Sequence, residues 1–535
     1  MARVAERVLV RARRVLTLDG AGTTGEWLLL EGERIAAVGS GDPPGAQSVA
    51  QVDGVVIPGF VDAHVHLTHT GLLSAGVDLR SCRSIPDALG AIKEFMKDSR
   101  TEWILAGNFD PAQTLERRMP DRRDLDTIAQ FRAVWLSRID GHCCSLTGAG
   151  MARLDLDPTL PGVELDARGK PNGILVGRAN EEARRGVLGA LADHQLRLAQ
   201  LTACRAALEH GITAVHEMAG SVPGGRDMEV LRSSGEPLPI AVRVYLATLE
   251  VARAREAGLD CVGGDLLLDG SLGSSTAALG EPYEDGSGTG ILYHEDEKIT
   301  RFFVDATEAR LQAGVHAIGD AAVEQAIRCL EGAAAELGSG GEAAMRALRH
   351  RIEHATGISP EQIPRVARLG IVASVQPAFD RAWGGPGGMY ESRLGSRAAS
   401  MNPLRTMLDA GITLAGGSDS PVTPLDPLAG VAAAAAHHVE EFRTSIDQAL
   451  RMFTMGGALA GREEADRGSL EAGKRADFCV LSDDPSGIEP DDVAALEVLE
   501  TWVGGRRAWS AEAGFEASRN GLEWQRGSDL PQMLF

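Results

Sequence analysis

Two histidines stand two residues apart in Gly59-Phe-Val-Asp-Ala-His64-Val-His66-Leu67, a short apolar stretch that reads as a strand. Side chains at i and i+2 of a strand leave the same face, about 7 Å apart along the chain. Imidazoles so placed converge on one ion at ~2.0–2.1 Å each. Two satisfied core histidines explain an isolated pair equally well, so other donors must decide. Three further strand-like runs end in such donors: His316 in VHAIGD, His354 in RIEHA and Asp419 in GGSDSP. Among thirteen histidines, one or two at strand ends would be ordinary; four with an aspartate are not. Imidazole nitrogen together with carboxylate oxygen suits a borderline cation such as Zn2+. An ion there brings the pKa of a water near neutrality. Asp419, at the rim, is placed to accept that proton and pass it to a leaving group. A turn aspartate capping the next segment would also satisfy Ser-Asp-Ser-Pro.

Donors this far apart need a scaffold. Strand-like runs at 59–67, 211–218, 241–248, 264–270, 315–319, 350–355, 371–377 and 412–420 alternate with helical patterns. Eight such strands predict an α/β fold, a (β/α)8 TIM-like barrel, whose reactive groups sit at the C-terminal strand ends. Gly211 and Gly411 each cap a helix that feeds a strand. Two further runs, WILAGNFD and AVWLSRID, would make ten strands, so 70–205 is assigned to an insertion after the first barrel strand. Hairpin-rich segments at 1–57 and 468–510 predict one discontinuous β-sandwich domain built from both chain ends. The barrel then spans 58–467, and 511–535 reads as a loose C-terminal tail.

Composition narrows the function classes. A net charge of −22 repels phosphate backbones and anionic lipid, so neither nucleic acid nor a membrane is the expected partner. No apolar run approaches the ~20 residues of a membrane span, and none of signal-peptide length opens the chain. Hydrophobic residues make up 44 %, enough for a large core. Seven cysteines, an odd number without a CxxC pair, fit reduced thiols in the cytoplasm and exclude a cysteine-based zinc knuckle.

The segments PGFVDAHVHL, LSRIDGHCCSLTGAG, DGSLGSSTAALGEPYEDGSGTGIL, VHAIGDAAVEQAI, HRIEHATGISPEQIPRVARLGIVASVQP, GGSDSPVTPLDPL and GSLEAGKRADFCVLSDDP span nearly the whole chain. Together they resemble the amidohydrolase superfamily, in particular its YtcJ-like branch (amidohydrolase family 3), which includes N-substituted formamide deformylases. The resemblance implies metal-dependent hydrolysis of a C–N bond in a small-molecule substrate, an N-acyl or N-formyl amine or a related amide. It also implies one or two divalent ions, zinc foremost, and allows a homo-oligomer. Many relatives carry on strand four a lysine that becomes carboxylated and bridges two metals; the matching position here is Asp265, in GGDLLLDGSLGS. The five lysines, Lys93, Lys97, Lys170, Lys298 and Lys474, all lie off the predicted barrel strands, which excludes that bridge. Either Asp265 supplies a shorter bridging carboxylate, or the site holds one firm metal; an aspartate paired elsewhere is the bland alternative.

Further candidates follow from the resemblance. His142, in DGHCCS, matches a histidine that faces substrate and could polarise a carbonyl as a donor; an inert loop histidine is the alternative. His216, in VHEMAG, is a candidate pocket residue or a packing histidine. Asp269 shares the Asp265 face of the expected fourth strand and is a candidate substrate contact. Asn108 and Asp110, in GNFDPAQ, fall where relatives carry a Gly-Trp-Asp-like loop, at the border of the cleft. His350 is expected to orient a neighbour, and Arg351 with Glu353 to form a structural ion pair. A deaminase, a carbamate or ester hydrolase, and a silent binding scaffold are the rival readings of the same residues.

Overall fold

The computed structural model describes residues 6–99, 101–220, 225–233 and 237–515. Eight parallel strands position the site: β1 (Phe60–Val65), β2 (Ile212–Ala219), β3 (Ala241–Leu246), β4 (Cys261–Val262), β5 (Gln312–Ala317), β6 (Arg351–His354), β7 (Val372–Val375) and β8 (Thr413–Gly416). They form two parallel sheets, ordered β3-β2-β1 and β4-β5-β6-β7-β8. β1, β2, β5, β6 and β7 are buried at every position, as strands are when both faces are covered. Their apolar side chains and those of the intervening helices share one large core, including Phe60, Val215, Val315 and Ile352.

Single hydrogen bonds link the two sheets at both edges. The Asp419 N–H donates to the His64 carbonyl (2.8 Å), and the His66 N–H to the Ser420 carbonyl (2.9 Å). At the other edge, the Gly263 N–H donates to the Leu246 carbonyl (2.9 Å). The ladders themselves run through neither junction, so the hydrogen bonding is that of a mixed α/β fold with two sheets, and not of the closed (β/α)8 barrel expected. The cause at one junction is local. Gly263 and Gly264 have φ of +80° and +66°, which ends the extended run after two residues. A Cβ on Gly263 would stand 2.2 Å from the Gly314 carbonyl oxygen. The expected strand at 264–270 is therefore irregular, with a single bridge from Leu267 to His316.

Both chain ends contribute to one nine-stranded sheet. Val55–Pro58 pairs antiparallel with Phe478–Leu481, which joins the two ends directly in front of β1. Val10, Leu28, Phe478 and Trp502 pack on it as a separate apolar cluster. Arg506–Ser510 and Gly514–Phe515 close this sheet as strands; positions 516–535 of the expected tail lie outside the described residues.

Trp103–Phe109 and Ala133–Arg138 belong to a fourth, six-stranded sheet between β1 and β2. The chain leaves it through a helix, Gly177–Gly189, that lines the cavity over the site. Among the described residues, no helix is long and apolar enough to cross a membrane.

Candidate metal centre and active site

The C-terminal ends of β1, β5, β6 and β8, with the turn after β4, bring His64, His66, Asp265, His316, His354 and Asp419 together. Hydrogen bonds fix which nitrogen of each ring faces inward. His64 Nδ1 donates to the Glu353 carboxylate (2.9 Å), His66 Nδ1 to the Met218 carbonyl (3.2 Å), and His354 Nδ1 to Gln376 Oε1 (2.8 Å). All three acceptors take a proton from Nδ1, which leaves Nε2 of each ring as the lone pair. His316 is turned the other way. Its Nε2 donates to the Gly270 carbonyl (3.2 Å), and its Nδ1 faces Asp265 Oδ1 at 2.9 Å.

These lone pairs converge on two carboxylates. Asp419 Oδ1 lies 3.4 Å from His64 Nε2 and 3.2 Å from His66 Nε2. Asp265 lies 3.9 Å from His64 Nε2, 3.7 Å from His66 Nε2 and 3.5 Å from His354 Nε2. Donors sharing a four-coordinate ion at ~2.0–2.2 Å stand roughly 3.3–3.6 Å apart. His64 Nε2 and Asp419 Oδ1 are buried without a hydrogen-bond partner among the described residues. Lone pair faces lone pair throughout, and a divalent cation fits that arrangement. Asp265 belongs to two donor groups, one with His64 and His66 and the other with His316 and His354.

Charge follows the same geometry. Burial alone would raise the Asp419 carboxyl, but His64 and His66 hold it far below the usual carboxylate range. Burial likewise opposes Asp265, and His316, His354 and His64 hold it well below. His64, His66 and His316 are drawn upward by these carboxylates against their burial. His354 goes down, through burial and the neighbouring His316. His354 and Asp419 also take left-handed backbone angles, φ +70° and +53°, a strain that the surrounding structure must support.

The other expected residues divide. His142 lines the cavity, its ring 6.0 Å from that of His316, and burial pushes it down to about 4, so it is neutral. Asp110 borders the cavity while capping a short turn through the Ala112 N–H (3.0 Å). Asn108 lines the cavity wall and donates to Asp78 (3.0 Å). His216 is not a pocket residue: it is buried below the centre, where its Nδ1 accepts from Arg351 (2.8 Å). Asp269 is not a substrate contact either. It is fully buried and accepts the backbone N–H groups of Ala278, Ile318 and Gly319, holding the turn after β4 to the end of β5. His350 lies just before β6, accepting from the Ala313 N–H (2.9 Å).

Sequence reasoning missed three supports. Glu353 was read as the partner of Arg351 alone, yet it also orients His64. Gln376 orients His354 from the position just after β7, and its place at a strand end was the available signal. Asp62 accepts from the Ser418 N–H (3.0 Å) and the His64 N–H (3.1 Å), stapling β1 to the loop that carries Asp419. A second group, Asp380 with His437 and His438, lies just past an alanine-rich helix. His437 Nδ1 accepts the Val439 N–H (3.1 Å), so its Nε2 carries the proton and offers no lone pair to a cation.

A parallel α/β scaffold with imidazoles and carboxylates gathered at its C-terminal strand ends defines a metal-dependent hydrolase. Residues 53–508 match the Amidohydro_3 amidohydrolase family, and the chain belongs to that family. It is 30 % identical over 495 residues to the putative amidohydrolase YtcJ of Bacillus subtilis, covering 86 % of this chain and 90 % of that one. It is 25 % identical over 548 residues to the N-substituted formamide deformylase of Arthrobacter pascens, covering 94 % and 98 %. An uncharacterized metal-dependent hydrolase from Pyrococcus furiosus superposes with a TM-score of 0.69 at 26 % identity, covering 90 % and 99 %.

Proposed function

We propose that this chain hydrolyses an amide-like C–N bond of a small molecule, an N-acyl or N-formyl amine or a close relative, with zinc at its centre. In this reading the two parallel sheets act as one (β/α)8 barrel with a seam at each junction, and Asp265 replaces a bridging lysine carbamate between two metal loci. The convergence of imidazole lone pairs on Asp265 and Asp419 carries the reading. The formamide deformylase relative supports the bond type, and seven free cysteines are in keeping with a cytoplasmic enzyme.

A divalent ion held by these donors supplies Lewis acidity, which acidifies a water and polarises the amide carbonyl. Asp419, buried and anionic, accepts a proton from the attacking water and returns it to the amine nitrogen as the C–N bond breaks. The water oxygen forms the new C–O bond, and a carboxylic acid and an amine leave. His142, neutral and facing the cavity, donates its ring N–H to the carbonyl oxygen as negative charge develops there. Asp62, Glu353 and Gln376 hold the loops and rings in place.

The test is elemental analysis of protein expressed with ample metal, followed by assay against N-formyl and N-acyl amines, N-acyl amino acids and cyclic amides. We expect bound zinc and amine release that a chelator abolishes and added metal restores. Protein free of divalent metal, or hydrolysis indifferent to the chelator, overturns the reading.

A further inference from the structure

The cavity over the metal centre has two lobes that meet at His142, His316, His354 and Asp419. The smaller, of about 50 Å3, is walled by Leu272, Ile318, Phe379, Trp383 and Val422. Phe379 and Trp383 meet edge to face with centroids 5.0 Å apart, and Phe379 lies flat against the His354 ring at 6.1 Å. Such a wall takes a flat or branched apolar group.

The larger lobe, of about 340 Å3, runs under the helix Gly177–Gly189. Three guanidinium groups line it, and two are already matched. Arg138 pairs with Asp140, and Arg185 with Glu182 (2.8 Å). Arg184 is half-buried and has neither an ion pair nor a hydrogen bond among the described residues. Glu181, one turn earlier, acts on Tyr293, whose phenol burial and this carboxylate push up to about 12. The charge of Arg184 is felt instead at His142 and His69, where it adds to burial in lowering both rings. Asn180, four residues back on the same helix face, donates to the Gly141 carbonyl (2.8 Å), which ties this face of the helix to the turn that carries His142.

A guanidinium without a counterion, facing a cavity that ends on a metal centre, selects for an anion on the ligand. We propose that the substrate is two-armed: an apolar arm on one side of the scissile bond fills the lobe beside Phe379 and Trp383, and a carboxylate on the other side pairs with Arg184. The proposal rests on the amide-hydrolase reading above. Arg184 is then a specificity residue, acting on which molecule is held and not on the bond cleaved.

Matched amides test it. N-benzoylglycine and N-phenylsuccinamate, each beside its neutral carboxamide twin and a phosphonate twin, cover both orientations and both anion types. In the metal-loaded enzyme, at least one carboxylate should show a KM tenfold or more below its carboxamide twin. Arg184→Gln should bring that ratio near one with bound metal retained, and Arg184→Lys should restore part of it. A ratio near one in the unaltered enzyme, or an unchanged ratio in Arg184→Gln, overturns the proposal; a stronger preference for the phosphonate overturns the carboxylate assignment. If none of the compounds is cleaved, their equilibrium binding separates the two ideas. A tenfold Kd difference between twins that disappears in Arg184→Gln keeps the anion site and sinks the amide reading. Twins of equal Kd sink the anion site.

Discussion

Two buried clusters of ionisable side chains meet along β6, and they are built on opposite principles. The lower one is closed around its guanidinium, although the His216 Nε2 is buried without a partner among the described residues. All three Arg351 nitrogens are used: Nε and Nη2 donate to Glu353 (2.7 and 2.8 Å), Nη2 also to the Ala63 carbonyl (2.7 Å), and Nη1 to His216 (2.8 Å) and Tyr245 (3.0 Å). The upper one is open. Imidazole lone pairs face carboxylate oxygens, and His64 Nε2 and Asp419 Oδ1 have no partner among the described residues. The carboxylates draw His64, His66 and His316 above the ordinary histidine range against their burial. A network whose buried charges are matched is scaffold; one that acceptors dominate is a site. Glu353 belongs to both, binding Arg351 below and orienting His64 above.

The largest effect should come from the open cluster. Asp419→Asn keeps the shape and removes the base, so turnover should fall about 10²- to 10⁴-fold, or about 3–5 kcal/mol of barrier. Steady-state kinetics with metal analysis checks this, and turnover should fall far more than metal content. Unchanged turnover would take Asp419 out of the mechanism. The closed cluster should respond in stability instead. Arg351→Met leaves Glu353 buried and uncompensated and should cost about 3–5 kcal/mol in denaturant unfolding. Adding Glu353→Leu should return part of that loss, whereas a stable single variant would mean that water reaches the network.

The shared residue ties the two clusters to pH. Burial would raise the Glu353 carboxyl, but Arg351 and then His64 hold it at about 2, below its ordinary 4.5. A depressed carboxyl stabilises the fold fully above its unfolded value and stops doing so as pH falls through its folded value. The window is therefore pH 4.5 down to about 2, and the amount is about 3 kcal/mol. Unfolding curves across that window should slope in the parent protein and flatten in Glu353→Gln. Equal slopes would place the acid sensitivity elsewhere.

The two clusters were unequally legible. His64, His66, His316, His354 and Asp419 were readable because each stands at the end of an apolar run, where strand periodicity fixes its direction. Asp265 was located through the lysine that the family resemblance sets at its position, but its supposed strand is irregular, because two positive-φ glycines precede it. His216 and Asp269 were misplaced for a related reason: direction along a strand says which side a residue faces, not how deep it lies. His216 sits too low on β2, and Asp269 turns back onto three backbone N–H groups. Arg184 left no mark in the sequence, since an arginine on a half-exposed helix is ordinary until its missing counterion is seen.

The smallest expected effect is also the sharpest test of how the open cluster is held. Gln376 meets the site through one hydrogen bond, from His354 Nδ1 to Oε1 at 2.8 Å. Gln376→Leu keeps the volume and removes that acceptor. His354 can then move its proton to Nε2, which would withdraw a lone pair from the Asp265 side of the centre. Losses of this kind cost about 10- to 100-fold in metal affinity. If two ions bind as proposed, chelator competition should show that loss at the His316 and His354 side, while metal bound at the His64, His66 and Asp419 side is retained. A uniform loss of all bound metal would mean that Asp265 couples the two loci so tightly that they form one site.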